Sequence, residues 1–312
     1  MRICSLLPGA TEVVAALGLA DELVGISHEC DYPQEIRRKP VLVRAAIDTA
    51  QATSREIDRR VRETLENGDR LYALDEPLFS RAQPDLVITQ DLCQVCAITP
   101  SQLQRAIAAL PKEPRLLTLN PTGLNDVLAD VERIGGATGR EPEARTLAAT
   151  LRARLQSVRE RVATAERPTV VCLEWLDPLY AAGHWVPEMV ARAGGKDPIG
   201  TGSAPSKHIA WEQVLAAAPD VLVMMPCGFS ATKALRELDR LAVPSRWPGW
   251  ATIPAVRNGR VFAVDASSYF SRPGPRLVEG VAMLATLCHP SLFGATLPPG
   301  VERMPSGNLR AS

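Results

Sequence analysis

"EPEARTLAATLRARLQSVRERVATA" spans residues 141–165 and decides how the chain is divided. Its apolar side chains recur at steps of four, four, three and four residues, at Leu147, Leu151, Leu155, Val158 and Val162. This spacing places them on one face of a helix, and charged residues occupy the opposite face. The pattern predicts a long, stiff helix that packs against protein along one side.

Short apolar strands alternate with helices on both sides of this segment. Strands are predicted near 2–6, 23–27, 85–89 and 115–119 before it, and near 169–173, 220–224 and 260–264 after it. Such alternation indicates α/β lobes with largely parallel sheets. We therefore predict an N-terminal α/β lobe, a helical linker, a C-terminal α/β lobe and a loosely packed tail, over residues 1–121, 122–167, 168–289 and 290–312.

Composition excludes several classes of function. The chain has 312 residues, and its 35 Lys and Arg residues balance 35 Asp and Glu residues. A neutral chain gives no reason to expect a nucleic-acid partner or binding to an anionic membrane. No apolar run approaches the roughly 20 residues of a membrane-spanning helix, so membrane insertion is not expected.

Two features indicate where the protein works. Seven cysteines, an odd number without regular spacing, fit a reducing compartment better than a disulfide framework. The N-terminus "MRICSLLPGATEVV" lacks an apolar signal-peptide core and a lipid-attachment pattern. We therefore expect a cytoplasmic protein, and the alternative is the periplasm or cell envelope if the start is misassigned.

The loops that follow predicted strands carry an unusual share of the aromatic residues: seven of the 14 Phe, Trp and Tyr residues fall there. Ligands of open α/β sheets bind beyond the carboxyl ends of the strands, and aromatic side chains at loop tips are costly unless they line something. We therefore predict one aromatic-walled cleft with a few polar anchors. The candidate ligand-binding residues are Pro8, Thr11, His28, Glu29, Tyr32, Gln90, Asp91, Trp175, His184, Trp185, Phe229, Ser268, Tyr269, Phe270 and Arg272.

Simpler structural interpretations compete with these candidates. Trp175 and Trp185 are equally compatible with a role in capping the core. His28 is compatible with an ordinary loop histidine, and the charged run 55–62 is most simply a solvated helix face. No phosphate-binding loop, nucleophile elbow or H-E-x-x-H motif is present, so we do not expect an enzyme.

The motif "CQVC" at residues 93–96 leaves three interpretations open. Cys93 and Cys96, with Cys30, are candidate ligands of Zn or Fe, because a thiolate beside a histidine is a good soft metal site. The pair also fits a pocket wall that contacts the metal centre of a bound ligand, or a redox or inert thiol pair. A metal-dependent enzyme built on His28, Cys93 and Cys96 is the rival hypothesis from another class.

Four motifs in order resemble one known family. They are "SHECDYP" (27–33), "HWVPEMVARAGG" (184–195), "IAWEQVLAAAPDVLVM" (209–224) and "SSYFSRPGPRLVEGVAML" (267–284). The chain resembles the substrate-binding proteins of ABC importers for vitamin B12 and iron chelates, and is most similar to the cobalamin-binding members. The resemblance implies a class III periplasmic-binding-protein fold, with two Rossmann-like lobes bridged by a single long rigid α-helix.

The resemblance also implies a function and residue roles. The expected ligand is a corrinoid such as cobalamin or a related metal chelate, or alternatively haem or an iron siderophore. The expected role is either ABC-type uptake, with a permease as partner, or intracellular handling of the ligand. Tyr32 matches an aromatic pocket position, and the 268–272 loop matches one that faces the corrin amides, with Ser268 in place of an acid. Glu212 matches a C-lobe glutamate that docks on the permease. Gln90 replaces a family tryptophan, and no N-lobe docking acid is evident.

Overall fold

The computed structural model describes residues 1–49, 51–90 and 100–305. The N-terminal lobe is a six-stranded sheet in the order β4-β3-β2-β1-β5-β6, in which only β4 is antiparallel to its neighbour. Helices pack on this sheet, as the alternating sequence pattern predicted, except the helix Ser54–Glu66, which packs on the C-terminal lobe. The elements are β1 (Ile3–Ser5), α1 (Pro8–Ala16), β2 (Leu23–Ser27), β3 (Val41–Ala45), α2 (Ser54–Glu66), β4 (Tyr72–Leu74), α3 (Glu76–Ala82), β5 (Leu86–Thr89), α4 (Pro100–Ala108) and β6 (Arg115–Thr118).

Two helices occupy the segment that was predicted as a helical linker: α5 (Leu124–Thr138) and α6 (Glu141–Arg161). Gly139 ends α5 in the left-handed conformation at φ 70°, which glycine adopts without steric cost. Leu151, Leu155 and Val158 are buried along α6, as the periodicity predicted. The helix packs against α5 and against helices of the C-terminal lobe.

The C-terminal lobe is a second six-stranded sheet, in the order β12-β11-β10-β7-β8-β9. Its centre, β11-β10-β7, is parallel, and these strands are apolar apart from Glu174 near the end of β7, as is typical of strands covered on both faces. The elements are β7 (Val170–Leu176), β8 (Leu179–Ala181), α7 (Val186–Arg192), β9 (Lys207–His208), α8 (Trp211–Ala217), β10 (Val221–Met224), α9 (Ala231–Arg240), α10 (Val243–Arg246), α11 (Pro254–Arg257), β11 (Val261–Val264), α12 (Ala266–Tyr269), α13 (Leu277–Cys288), α14 (Pro290–Phe293) and β12 (Val301–Arg303).

The C-terminal segment differs from the loosely packed tail that was expected. β12 pairs antiparallel with β11, and Val301 aligns with Val264. The Gly- and Pro-rich composition reflects the turns around this strand, and three residues are too few to show a strand period. The second lobe therefore continues past residue 289. Within the described part of the chain, no helix has the length and apolar character needed to cross a membrane.

Candidate ligand-binding cleft

Two adjoining cavities lie between the lobes. An apolar cavity of about 320 Å³ and a polar cavity of about 380 Å³ share Glu29, Lys233 and Arg272 in their walls. Most lining residues lie at the carboxyl ends of β1, β2 and β5 in one lobe and of β7, β10 and β11 in the other, and the 43–72 segment adds Val43, Thr49, Ile57 and Tyr72. Both volumes fall at the lower end of the roughly 300–1,000 Å³ of small-molecule sites.

The apolar cavity has an aromatic wall supplied by the C-terminal lobe. Trp175 meets Phe229 edge to face, with ring centroids 5.5 Å apart. Trp185 is buried and donates its indole N–H to the carbonyl oxygen of Phe270 at 2.7 Å. These contacts hold the rings in fixed orientations, so the wall is formed before a ligand enters.

A glutamate and a histidine add polar groups to this wall. Burial raises the pKa of Glu174, and the N–H of Gly183, 3.3 Å from its carboxylate, opposes this shift. Burial lowers the pKa of His184, so its imidazole is neutral at neutral pH. Both side chains are therefore suited to hydrogen bonding with a neutral ligand.

The polar cavity is crossed by an ion-pair cluster that joins the lobes. Arg272 donates to Asp31 at 2.6 Å and to Glu29 at 3.1 Å, and its side chain is 10% exposed. Burial alone would lower the pKa of this guanidinium, but Asp31 and Glu29 outweigh burial and raise it. The positive charge of Arg272 is therefore neutralised by carboxylates of the opposite lobe.

Lys233 is a second strongly basic side chain among the described residues of the lining. Its ammonium lies 4.0 Å from the centroid of the Phe229 ring and donates to the carbonyl oxygen of Thr49 at 3.4 Å. Asp265 lines the same cavity and accepts from the N–H and hydroxyl of Ser268. Among the described residues, acidic side chains therefore outnumber strongly basic ones in the cleft lining.

Most of the residues proposed from sequence lie at this cleft. The structure places Pro8, Glu29, Gln90, Trp175, His184, Trp185, Phe229, Phe270 and Arg272 at the apolar cavity, and His28, Glu29, Ser268 and Arg272 at the polar cavity. Asp91, Cys93 and Cys96 lie outside the described residues, so their roles stay predictions.

Thr11 and Cys30 are not in the cleft lining, contrary to expectation. Thr11 is fully buried, and its hydroxyl oxygen lies 2.8 Å from that of Ser5 and 3.1 Å from the Cys30 sulfur. Burial raises the pKa of Cys30 to about 11, with the Thr11 hydrogen bond opposing, so it is a protonated core thiol rather than a ready metal ligand. No group of three potential metal ligands occurs among the residues that the structure describes.

Tyr32 and Tyr269 also depart from the expected lining. The guanidinium of Arg276 lies 4.4 Å from the Tyr32 ring centroid and 5.8 Å from that of Tyr269. Arg276 in turn pairs with the buried carboxylate of Glu12. The two tyrosines therefore belong to a charged contact between the lobes next to the cleft.

Sequence reasoning missed several lining residues. Thr49, Ile57 and Lys233 do not directly follow a predicted strand, so the strand-end criterion could not find them. Glu174 does follow a predicted strand, and its position next to Trp175 was the available signal.

Two α/β lobes around a cleft have the architecture of a two-lobed solute-binding protein. A model of the family described as periplasmic binding protein matches residues 3–267, and the chain belongs to that family. This match confirms the predicted class III fold and shows that the chain is a substrate-binding protein rather than an enzyme.

Individual relatives cover nearly the whole chain. A vitamin B12-binding protein of Vibrio cholerae is 26% identical over 297 residues, covering 91% of this chain and 88% of its own. An ABC transporter substrate-binding lipoprotein of Bacillus subtilis is 27% identical over 304 residues, covering 94% and 81%. The solved structure of a periplasmic heme binding protein from Pseudomonas aeruginosa superposes with a TM-score of 0.73 at 21% identity, over 97% of this chain and 98% of that one.

These relatives overturn the expected location. The family is one of periplasmic proteins, and the Bacillus subtilis relative is a lipoprotein, so the prediction of a cytoplasmic protein is wrong. That prediction depended on the first residues and on the cysteine count. The alternative, the periplasm or cell envelope, agrees with the relatives.

Proposed function

We propose that this protein captures a corrinoid in the cleft between its lobes and delivers it to an ABC permease. The match to a vitamin B12-binding protein over most of both chains supports this ligand class. The match to an ABC transporter substrate-binding lipoprotein supports the transport role.

The charge of the cleft is the observation that favours a corrinoid over haem. A corrin ring bears mostly amide side chains, whereas haem bears two propionates. Arg272 is neutralised by Glu29 and Asp31, and Lys233 is held by Phe229 and Thr49. A propionate at Arg272 would have to displace Glu29 or Asp31, or lie unpaired beside these carboxylates, and either is costly. A neutral amide adds no charge beside them.

The shape of the apolar cavity supports the same conclusion. Trp175 and Phe229 present fixed aromatic surfaces, and Leu6, Leu7 and Pro8 approach from the other lobe. A flat macrocycle gains apolar contact on both sides there, because its faces are less polar than its rim. Glu174 and His184 then lie near polar groups at the ligand edge.

Haem is the second candidate, and His184 is the observation that favours it. Its neutral, half-buried imidazole lines the apolar cavity, and neutral imidazole is a common ligand of haem iron. The two candidates are distinguished by whether carboxylates or amides are accepted at the cleft rim.

Titration of the purified protein with cyanocobalamin and with haemin tests the proposal, since both ligands have strong visible bands. We expect tight binding of cyanocobalamin and weaker binding of haemin. The double variant Glu29→Gln/Asp31→Asn keeps hydrogen-bonding groups but frees the charge of Arg272, so haemin should gain about tenfold in affinity while cyanocobalamin changes little. The exposed Asp21→Asn is the matched control. Tighter haemin binding by the parent protein would overturn the corrinoid assignment.

Glu212 is the proposed permease contact on the C-terminal lobe. It is exposed in the first turn of α8, where a carboxylate is available to an arginine of a partner. This role comes from the family resemblance, and the exposed position supports it.

A further inference from the structure

Helix α2 belongs to the N-terminal lobe by sequence but packs on the C-terminal lobe. It lies between β3 and β4, which pair with each other in the N-terminal sheet through Val43 and Leu74. Yet Ile57 of α2, and Ala52 just before the helix, are buried in the C-terminal core with residues of β7 and α9. The chain therefore crosses from one lobe to the other and returns.

A buried carboxylate anchors the start of α2. Oε1 of Glu237, on α9, accepts from the backbone N–H of Ser54 at 2.7 Å and from its hydroxyl at 2.5 Å. Glu237 is 2% exposed and Ser54 is fully buried. A carboxylate at a helix N-terminus is favoured by the helix dipole, and hydrogen bonds to a charged group are stronger than neutral ones.

A second anchor lies beside the first. Arg55 donates to Asp177 at 2.9 Å, and Arg246 of the C-terminal lobe bonds to the same carboxylate at 3.1 Å. The indole N–H of Trp175 donates to the carbonyl oxygen of Ser54 at 3.2 Å. One turn of α2 thus contacts the C-terminal lobe through backbone and side chain.

The docked face of α2 also lines the ligand cavity. Ile57 lies in the wall of the apolar cavity, with Trp175 and Phe229 in the same lining. The opposite face is exposed and carries the Arg59–Glu63 pair, which touches neither lobe core. The helix therefore has one face for the C-terminal lobe and ligand and another for solvent.

We propose that α2 is a docked wall of the ligand site, and that its attachment to Glu237 and Asp177 sets the rate of ligand exchange. The proposal rests on the proposed function, because it assigns a role to a wall of that same cleft. A ligand that contacts α2 leaves more readily when α2 separates from the C-terminal lobe. Separation breaks buried hydrogen bonds to charged groups, so it is a rare event while the anchors are intact.

Two variants remove the anchors separately. Glu237→Ala leaves the N–H and hydroxyl of Ser54 buried without their acceptor, and we expect amide hydrogen exchange in residues 54–66 and cyanocobalamin dissociation both to accelerate about tenfold or more. Arg55→Ala alters a side chain that is 61% exposed, and we expect a smaller acceleration of both rates. Arg59→Ala, on the solvent face of the same helix, is the control and should match the parent.

Hydrogen exchange is measured on ligand-free protein, and dissociation is measured by chase with excess unlabelled ligand. Faster exchange in residues 54–66 with unchanged ligand dissociation would overturn the proposal, as would parental exchange in both anchor variants. If Glu237→Ala does not fold, Arg55→Ala carries the test alone. A parent protein that binds haemin but no corrinoid refutes the proposed ligand, and the same chase with haemin then decides the role of α2.

Discussion

Replacement of Arg276 by leucine tests the ion pair that joins the two lobes beside the cleft. The guanidinium donates to both carboxylate oxygens of Glu12, at 3.0 and 2.5 Å. The Glu12 side chain is 5% exposed and the Arg276 side chain is 11% exposed. Leucine keeps much of the apolar stem, removes the guanidinium that lies over Tyr32, and leaves a buried carboxylate without its partner.

The expected loss follows from that burial. Removing one partner of a buried ion pair costs about 3–5 kcal/mol, and we expect the lower value because Arg272 also stabilises the charge of Glu12. Burial already raises the pKa of Glu12 above 4.5, and Arg276 opposes this. Without Arg276 the pKa rises further, so the folded state holds its proton more tightly than the unfolded chain. Stability is then lost as the pH rises from 4.5 through the higher folded pKa.

Urea unfolding followed by circular dichroism measures the effect. We expect Arg276→Leu to lose about 3 kcal/mol of unfolding free energy near neutral pH and clearly less near pH 5. The double variant Glu12→Leu/Arg276→Leu removes both charges and should recover most of the loss. A deficit below about 1 kcal/mol, or one that is equal at both pH values, would refute the reasoning.

Three further outcomes follow from the described contacts. In Gly9→Ala the new methyl group would overlap the carbonyl oxygen of Pro273 in the opposite lobe, so the melting temperature and ligand affinity should both fall. A melting temperature and affinity equal to those of the parent would show that the lobes separate freely there. The Glu174→Gln variant loses the pH dependence that the buried acid causes, so the variant's stability relative to the parent should grow as the pH rises above 4.5. The gain should be about 1.4 kcal/mol for each unit by which burial raises the pKa of Glu174 in the parent. A stability difference that does not change with pH would contradict this. Glu212→Ala should keep ligand affinity and stability within about 0.5 kcal/mol but reduce permease-dependent uptake, and unchanged uptake would exclude this contact.

The division into lobes was predictable because its signal is local. The apolar spacing of Leu151, Leu155 and Val158 specifies one buried helix face without knowledge of the partner, and the structure buries all three residues. The break before α6 was also visible in the glycines, although the helix α5 continues through Gly135 and Gly136 and ends only at Gly139. The short strand β12 was not predictable, because three residues carry no measurable period.

The cleft was predictable only for residues that follow the carboxyl end of a strand. The strand-end criterion locates where a loop begins, and it found Trp185, Phe229 and Arg272. It does not specify the direction of a side chain, so it also selected Thr11, which points into the core, and Tyr32, which packs on a charged pair. The direction of Tyr32 depends on Arg276, which is far away in the chain.

Helix α2 shows the same limit most clearly. Its charged run predicts a solvated helix, and Arg59 does face solvent. Ser54, in the first turn of the same helix, bonds to Glu237, which is 183 residues away. No periodicity or motif connects two such positions, because each residue is ordinary in its own segment. The buried carboxylate accepts from the helix N-terminus and lies 4.0 Å from Arg240 of its own helix, so Ser54 and Glu237 each satisfy a buried polar group of the other lobe. A contact with that mutual dependence separates as a unit, which is why breaking it is expected to change ligand exchange rather than only local stability.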